Sequence, residues 1–306
     1  MARANLFLIG AAKAGTTALT EILCAHTSIG AMAIKEPGHF CTDIYENGFS
    51  ASYKSMLRWD EEKYFTHTPL QQRHIAFVKA ARGYDTLVNE ASEMPFILDA
   101  STAYLYSTKA AKKVAAYNPE AKIIVCLRNP VSRAYSHYNM AKKYGKEQRS
   151  FLQALQAESE LKSARWGWEE CYLHLGLYKE QLDRWYKYFD PAQILVVFQE
   201  DLKSRPQGVL EAIRSFLNLE NGFENPAHQT HGAEVPKNAL VGKLLGRSSN
   251  TVAAVLPSTL KNRLKKLILS PPKAMDEEAR SFLLRYFAPS IEALEKRLGK
   301  DLTHWK

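Results

Sequence analysis

Leu6-Phe7-Leu8-Ile9-Gly10-Ala11-Ala12-Lys13-Ala14-Gly15-Thr16-Thr17-Ala18-Leu19 decides the fold. Residues 6–9 form a short apolar run that suits a buried strand. Gly10 and Gly15 bracket a tight loop. From Thr16 the pattern turns helical, with Leu19, Ile22 and Leu23 on one face. Strand, glycine-bounded loop and helix start together make an anion cradle, because backbone N–H groups and the positive helix end converge there. The common nucleotide loop G-x-x-x-x-G-K-[ST] has the same glycine spacing. Here Thr16 stands where that motif has its lysine, and Lys13 lies inside the loop. A single cation is still aimed at phosphate, from a different place.

The next segment to carry chemistry is Ile34-Lys35-Glu36-Pro37-Gly38-His39-Phe40, which closes a small apolar run at 30–34 read as the second strand. Pro37 biases Glu36 away from helix, so Lys35 and Glu36 sit at a strand end or turn. Ligands of open α/β sheets bind outside the carboxyl ends of strands. An exposed ion pair at a turn is the competing reading. Residues 122–127 are apolar and rich in β-branched side chains, as in a central parallel strand. They run into Arg128-Asn129-Pro130-Val131-Ser132-Arg133-Ala134-Tyr135-Ser136. A guanidinium at a strand end offers a planar fork to phosphate, and Pro130 suits a first helical turn. Ser136 lies two turns on, near enough to the same face to reach the same anion. Two anion sites, one after the first strand and one after a later strand, imply a ligand with phosphates at both ends. A nucleoside triphosphate does not need the second site; a 3′,5′-bisphosphate does.

These residues carry a family resemblance. Lys13-Ala14-Gly15-Thr16-Thr17-x-Leu19 resembles the 5′-phosphosulfate loop of sulfotransferases that use 3′-phosphoadenosine 5′-phosphosulfate (PAPS). Lys35-Glu36-Pro37 with His39 and Phe40 resembles the motif of heparan sulfate N- and O-sulfotransferases and their bacterial relatives. Arg128 to Ser136 resembles the 3′-phosphate motif Arg-[Asp/Asn]-Pro-x-x-Arg-x-x-Ser. Asp99-Ala100-Ser101 resembles the family's Glu-x-Ser/Thr segment with Asp in place of Glu; a polar strand end facing the acceptor and a helix cap from Ser101 or Thr102 both fit it. Val235-Pro236-Lys237-Asn238-Ala239-Leu240 resembles the Pro-Arg-Ser-x-Leu segment of bacterial members.

The resemblance implies roles. Lys13, Ala14, Gly15, Thr16 and Thr17 hold the 5′-phosphosulfate. Arg128 and Ser136 hold the 3′-phosphate, with Lys237 as a third phosphate contact, while Arg133 braces its helix or forms a structural ion pair. Glu36 takes the acceptor's proton, and His39 competes for that task because its ordinary pKa suits proton transfer near neutrality. Lys13 neutralises charge on the bridging oxygen and Lys35 assists at the sulfonyl oxygens. No metal ion is required.

The 306 residues carry a net charge of +9 and 46% hydrophobic side chains, ample for a core. The basic balance reads either as a solvated surface or as attraction to a polyanion. No tract of clustered Lys and Arg with interleaved aromatics stands out, which argues against nucleic acid. No apolar run is long enough to span a bilayer, and no leader-like segment precedes Leu6, so a cytoplasmic protein is expected. Cys24, Cys41, Cys126 and Cys171 are spaced for neither zinc nor a disulfide framework and read as reduced thiols. Residues 41–93 mix aromatics and charges and read as helices and loops covering the acceptor side. Helices are expected over 109–117, 151–164 and 176–189, a strand over 193–198, and a last helix opened by Asp276-Glu277-Glu278. The acidic pair Glu200-Asp201 reads as a cap. Residues 256–267 read as an amphipathic helix, either solvated or lying on a membrane surface.

The expectation is an α/β fold: a single P-loop-like domain with a central parallel sheet of about four or five strands flanked by helices. Residues 221–243 form a loop closing over the nucleotide. The expected reaction is in-line sulfuryl transfer from PAPS to an acceptor hydroxyl of a carbohydrate or small molecule, less readily an amine, leaving PAP. The alternatives are a small-molecule kinase using Mg·ATP on a divergent loop, and a non-catalytic polyanion- or nucleotide-binding adaptor.

Overall fold

The computed structural model describes residues 2–57, 59–167, 169–223, 235–236, 269–270 and 273–306. The chain divides into two compact units. Met1–Gly48, Leu57–Arg128 and Tyr178–Gln229 form the first; Phe49–Met56, Asn129–Leu177 and Thr230–Lys306 form the second.

The first unit contains strands β1 (Leu6–Leu8), β2 (Ile29–Ala31), β3 (Ile34–Glu36), β4 (Arg73–Ile75), β5 (Phe96–Asp99), β6 (Lys122–Leu127) and β7 (Ile194–Phe198). Five of them make one parallel sheet in the order β2-β5-β1-β6-β7. Phe7 lies opposite Asp99 on one side and Ile123 on the other, so β1 is the middle strand. All three β1 residues are buried, as are all β6 residues after Lys122. Burial on both faces explains why these strands read as unbroken apolar runs. The α/β architecture and the five-stranded parallel sheet flanked by helices agree with the expectation from sequence.

The apolar run at 30–34 does not form one strand. Its first part is β2, paired with β5. At Ala33 the backbone changes partner: Arg73 N–H donates to Ala33 O at 2.8 Å, and β3 then pairs in parallel with β4, Ile34 opposite Arg73 and Glu36 opposite Ile75. A run of small apolar residues carries no punctuation that marks such a change, and the partner strand lies within residues 41–93, where only helices and loops were expected. That segment also holds the helices Thr42–Asn47, Glu61–Tyr64 and Ala81–Glu90.

In the second unit, Asn129 caps the helix Pro130–Lys143 by accepting from Val131 N–H at 2.9 Å and Ser132 N–H at 3.2 Å. Arg133 is fully buried and donates to the carbonyls of Cys171 and Tyr172, the brace expected of it. The helix expected over 151–164 ends at Ser159. The buried Glu158 carboxylate accepts from the N–H groups of Leu173 and His174 at 3.0 Å, which holds the start of the turn His174–Gly176 against this helix. Asp276 opens the helix Glu277–Leu298 by accepting from Glu278 N–H, and Leu283, Phe287, Ile291 and Leu294 form its buried face. All four cysteines are free.

Candidate active site

The loop after β1 is shaped by backbone conformation. Gly10, Lys13 and Gly15 have φ of 148°, 69° and 89°. Two of these are glycines, for which positive φ carries little steric cost, whereas Lys13 holds it with a side chain in place. The loop is sewn to β6: Ala11 N–H donates to Cys126 O at 2.6 Å, and Cys126 N–H donates to Gly10 O at 2.8 Å. Gly15 stands at the cap position of the helix Thr16–Cys24 and no side chain caps that helix. Its first N–H groups have no partner within the helix, so the helix start faces the loop as an anion-binding end. Ala14 and Thr16 are buried, Lys13 and Gly15 half-buried, and Thr17 exposed.

Arg128 follows β6, the neighbour of β1. Its Nη1 donates to Lys13 O at 3.1 Å, bringing the guanidinium to the loop after β1. Burial pushes Arg128 below the ordinary arginine value, against the nearby charge of Glu200. The Tyr178 hydroxyl donates to Arg128 O at 2.9 Å and so holds the strand end. Gln199, which opens the helix Gln199–Ser204, packs its side chain against Gly15. Neither Glu200 nor Asp201 caps this helix, contrary to the reading from sequence; both lie in its first turn, and Asp201 pairs with Arg205 at 3.0 Å. A helix that starts directly on the last strand residue leaves no cap position for them.

At the end of β3, Glu36 is 6% exposed. Lys35 Nζ donates to its Oε1 at 2.9 Å, and the Thr102 hydroxyl donates to its Oε2 at 2.7 Å. Burial alone would push the Glu36 carboxyl up. Lys35, Thr102 and the ring of His74 outweigh that and hold it below the ordinary carboxylate value. Glu36 is therefore a carboxylate at neutral pH, able to accept a proton. The turn behind it is pinned from β5. Gly38 N–H donates to Ser101 Oγ at 2.9 Å, and Ser101 Oγ donates to Asp99 Oδ1 at 2.6 Å. Asp99 Oδ2 accepts from the hydroxyls of Tyr84 and Tyr104 at 2.9 and 2.7 Å. Ser101 and Thr102 do not cap the helix Ala103–Tyr106; they support Glu36 and its turn.

His39 donates from Nδ1 to Val78 O at 2.8 Å and stacks on Tyr84 with ring centroids 4.5 Å apart. Burial pushes its ring below the ordinary histidine value. It is built into the aromatic cluster of Phe40, Tyr84 and Tyr104. The structure thus brings together Lys13 with Arg128, and Lys35 with Glu36, within the first unit. Ser136 lies half-buried on Pro130–Lys143 in the second unit. Lys237, residues 256–267 and most of 221–243 lie outside the described residues.

Two residues at the site escaped the reading of the sequence. Thr102 was visible only as a possible cap. His74, on β4, sits with Nε2 3.6 Å from Glu36 Oε1 and its side chain 61% exposed. A histidine in a segment without periodicity offers no signal of its own. Among the described residues, no group of three or more His, Cys, Asp or Glu is placed to hold a metal ion, and no helix is long and apolar enough to cross a membrane.

The sequence and the fold have counterparts in known proteins. Over 312 residues the chain is 27% identical to bifunctional heparan sulfate N-deacetylase/N-sulfotransferase 1 of Xenopus tropicalis, covering 98% of this chain and 30% of that longer protein. It is 27% identical over 265 residues to human heparan sulfate glucosamine 3-O-sulfotransferase 6, covering 85% of this chain and 67% of that one. A crystal structure of a sulfotransferase from Alicyclobacillus acidocaldarius shares the fold, with a TM-score of 0.68 and 23% identity over 100% of this chain and 99% of the other. The sulfotransferase domain model matches residues 3–233, a span that contains the Gly10–Gly15 loop, the Lys35–Glu36 pair and Arg128, and the chain belongs to the sulfotransferase domain family.

Proposed function

We propose that the chain transfers a sulfuryl group from PAPS to an acceptor hydroxyl, with Glu36 as the base. The observation that carries this reading is the Glu36 carboxylate, buried yet held ionised between Lys35 and Thr102 at a strand end. Buried carboxylates without partners take up a proton; one kept charged beside a lysine is poised to accept a proton from a substrate.

The donor fits the residues present. The uncapped start of Thr16–Cys24 and the Lys13 loop suit the 5′-phosphosulfate, and Arg128, partly withdrawn from water beside that loop, suits the 3′-phosphate. Ser136 joins Arg128 by the sequence motif, and Lys237 by resemblance alone. PAPS supplies the activated sulfuryl group. Lys13 offsets the charge that grows on the departing phosphate. Lys35 carries three N–H donors, one of them on Glu36, and can share the others with sulfonyl oxygens. Glu36, not His39, is assigned the proton, because His39 has its Nδ1 on Val78 and its ring stacked on Tyr84. The named relatives are heparan sulfate sulfotransferases, one an N- and one a 3-O-sulfotransferase, so a carbohydrate is the first acceptor class proposed, at a hydroxyl as in the second and less readily at an amine as in the first. The net charge of +9 suits an acidic glycan.

Thermal stability with adenosine 3′,5′-bisphosphate tests the donor. At roughly 100 times its dissociation constant a ligand adds about 2.7 kcal/mol, a shift of several degrees. The expected result is a shift without added metal that is lost in Arg128→Ala. A shift with Mg·ATP alone would contradict the proposal.

A further inference from the structure

Transfer of a sulfuryl group to a hydroxyl releases one proton, and a base must lose that proton before the next cycle. Glu36 is 6% exposed, with Oε2 held by Thr102 and Oε1 by Lys35. Water has little access to it. Among the described residues His74 also comes close, with Nε2 3.6 Å from Oε1 on a side chain 61% exposed.

We propose that His74 carries the proton from Glu36 to water, acting through Glu36 and not on the acceptor; this rests on Glu36 being the base. As the acceptor oxygen bonds to sulfur, its O–H bond breaks and the proton passes to Glu36. The proton then moves to the Nε2 lone pair of neutral His74, which restores the carboxylate and leaves an imidazolium. The imidazolium gives a proton to water and becomes neutral again. A gap of 3.6 Å is closed by a small rotation of the ring or by one bridging water.

The β3–β4 ladder is what places His74 there. Ile34 pairs with Arg73 and Glu36 with Ile75, so His74 stands beside the Lys35–Glu36 strand end. Arg73 donates from Nε to Ile75 O at 2.9 Å and lies over the Trp59 ring at 4.8 Å, which pins the strand. Among the described residues, the charges that act on the ring include Glu36 and Lys35 from β3, Glu21 from the helix Thr16–Cys24, and Lys13 from the loop. Partial withdrawal from water pushes His74 below the ordinary histidine value, Glu36 pulls it up, and Lys35 and Lys13 push it down. The ring is thus neutral at pH 7 and free to accept.

The test has two readouts. In an NMR titration, Glu36→Gln should lower the His74 pKa by about one unit, as expected for a charge this close at the protein surface. In weak buffer, His74→Ala should slow release of PAP from PAPS at least about tenfold, with KM for PAPS unchanged, whether the acceptor is water or an unsulfated heparan oligosaccharide. Imidazole should restore the rate in His74→Ala but not in Glu36→Gln. A His74 titration unmoved by Glu36→Gln, or a His74→Ala rate indifferent to imidazole, overturns the relay. Full turnover in Glu36→Gln would instead overturn the base assignment beneath it.

Discussion

The Thr102 hydroxyl donates to Glu36 Oε2 at 2.7 Å, and the Thr102 backbone N–H reaches the same oxygen at 3.2 Å. The hydroxyl is one of the groups that hold Glu36 below its ordinary value, and it can be removed without changing side-chain shape. Thr102→Val should raise the acid limb of the pH–rate profile by roughly half to one unit, the equivalent of about 1 kcal/mol. The sign extends to stability. A depressed carboxyl stabilises the fold above its unfolded value, and that contribution is lost as pH falls through the folded value. Wild type should therefore exceed Thr102→Val near neutrality and converge with it below about pH 4.5. An unchanged acid limb would remove Thr102 from the account.

The loop after β1 should separate stability from activity at Lys13. Its φ of 69° is unfavourable for a residue with a side chain. Lys13→Gly should hold or slightly raise the denaturation midpoint while cutting transfer at least about 100-fold. Gly10 predicts the opposite. At φ 148° an added Cβ would stand 2.9 Å from Leu105 Cβ, so Gly10→Ala should destabilise by about 1–3 kcal/mol in urea unfolding. Equal stability losses in both variants would show that the loop conformation is not what these dihedrals imply.

Asp99 should leave a signature in the pH dependence of stability. It is wholly buried, and burial raises its carboxyl to about 6 despite hydrogen bonds from Ser101, Tyr104 and Tyr84. A raised carboxyl means the folded state binds the proton more tightly than the unfolded chain. Stability from this group is then greatest in acid and falls as pH rises through the folded value, by about 3 kcal/mol in total. Asp99→Asn removes the dependence. The stability of Asp99→Asn relative to wild type should rise by that amount between about pH 3.5 and pH 7 and then stay flat. A constant difference across that range would contradict the assignment.

The parts legible in the sequence were those whose chemistry is local. The strand 6–9, Gly10, Lys13 and Gly15 announced a loop because glycines and a lone lysine mean the same thing wherever they lie in such a pattern. Residues 122–127 announced a central strand because burial on both faces leaves a continuous apolar run. What could not be read depends on partners far along the chain. The change of partner at Ala33 is set by Arg73, and the support of Glu36 comes from Thr102. His74 reaches Glu36 only because β4 pairs with β3, and a three-residue strand among aromatics and charges shows no period.

The central claim is that the carboxylate held between Lys35 and Thr102 is the base of sulfuryl transfer. The most direct measurement pairs calorimetric binding of adenosine 3′,5′-bisphosphate with the rate of PAP release from PAPS in Glu36→Gln. The account predicts binding within about twofold of wild type and turnover lower by about 10²–10⁴-fold, the usual cost of losing a general base. Turnover above about a tenth of wild type, with donor binding intact, would contradict it.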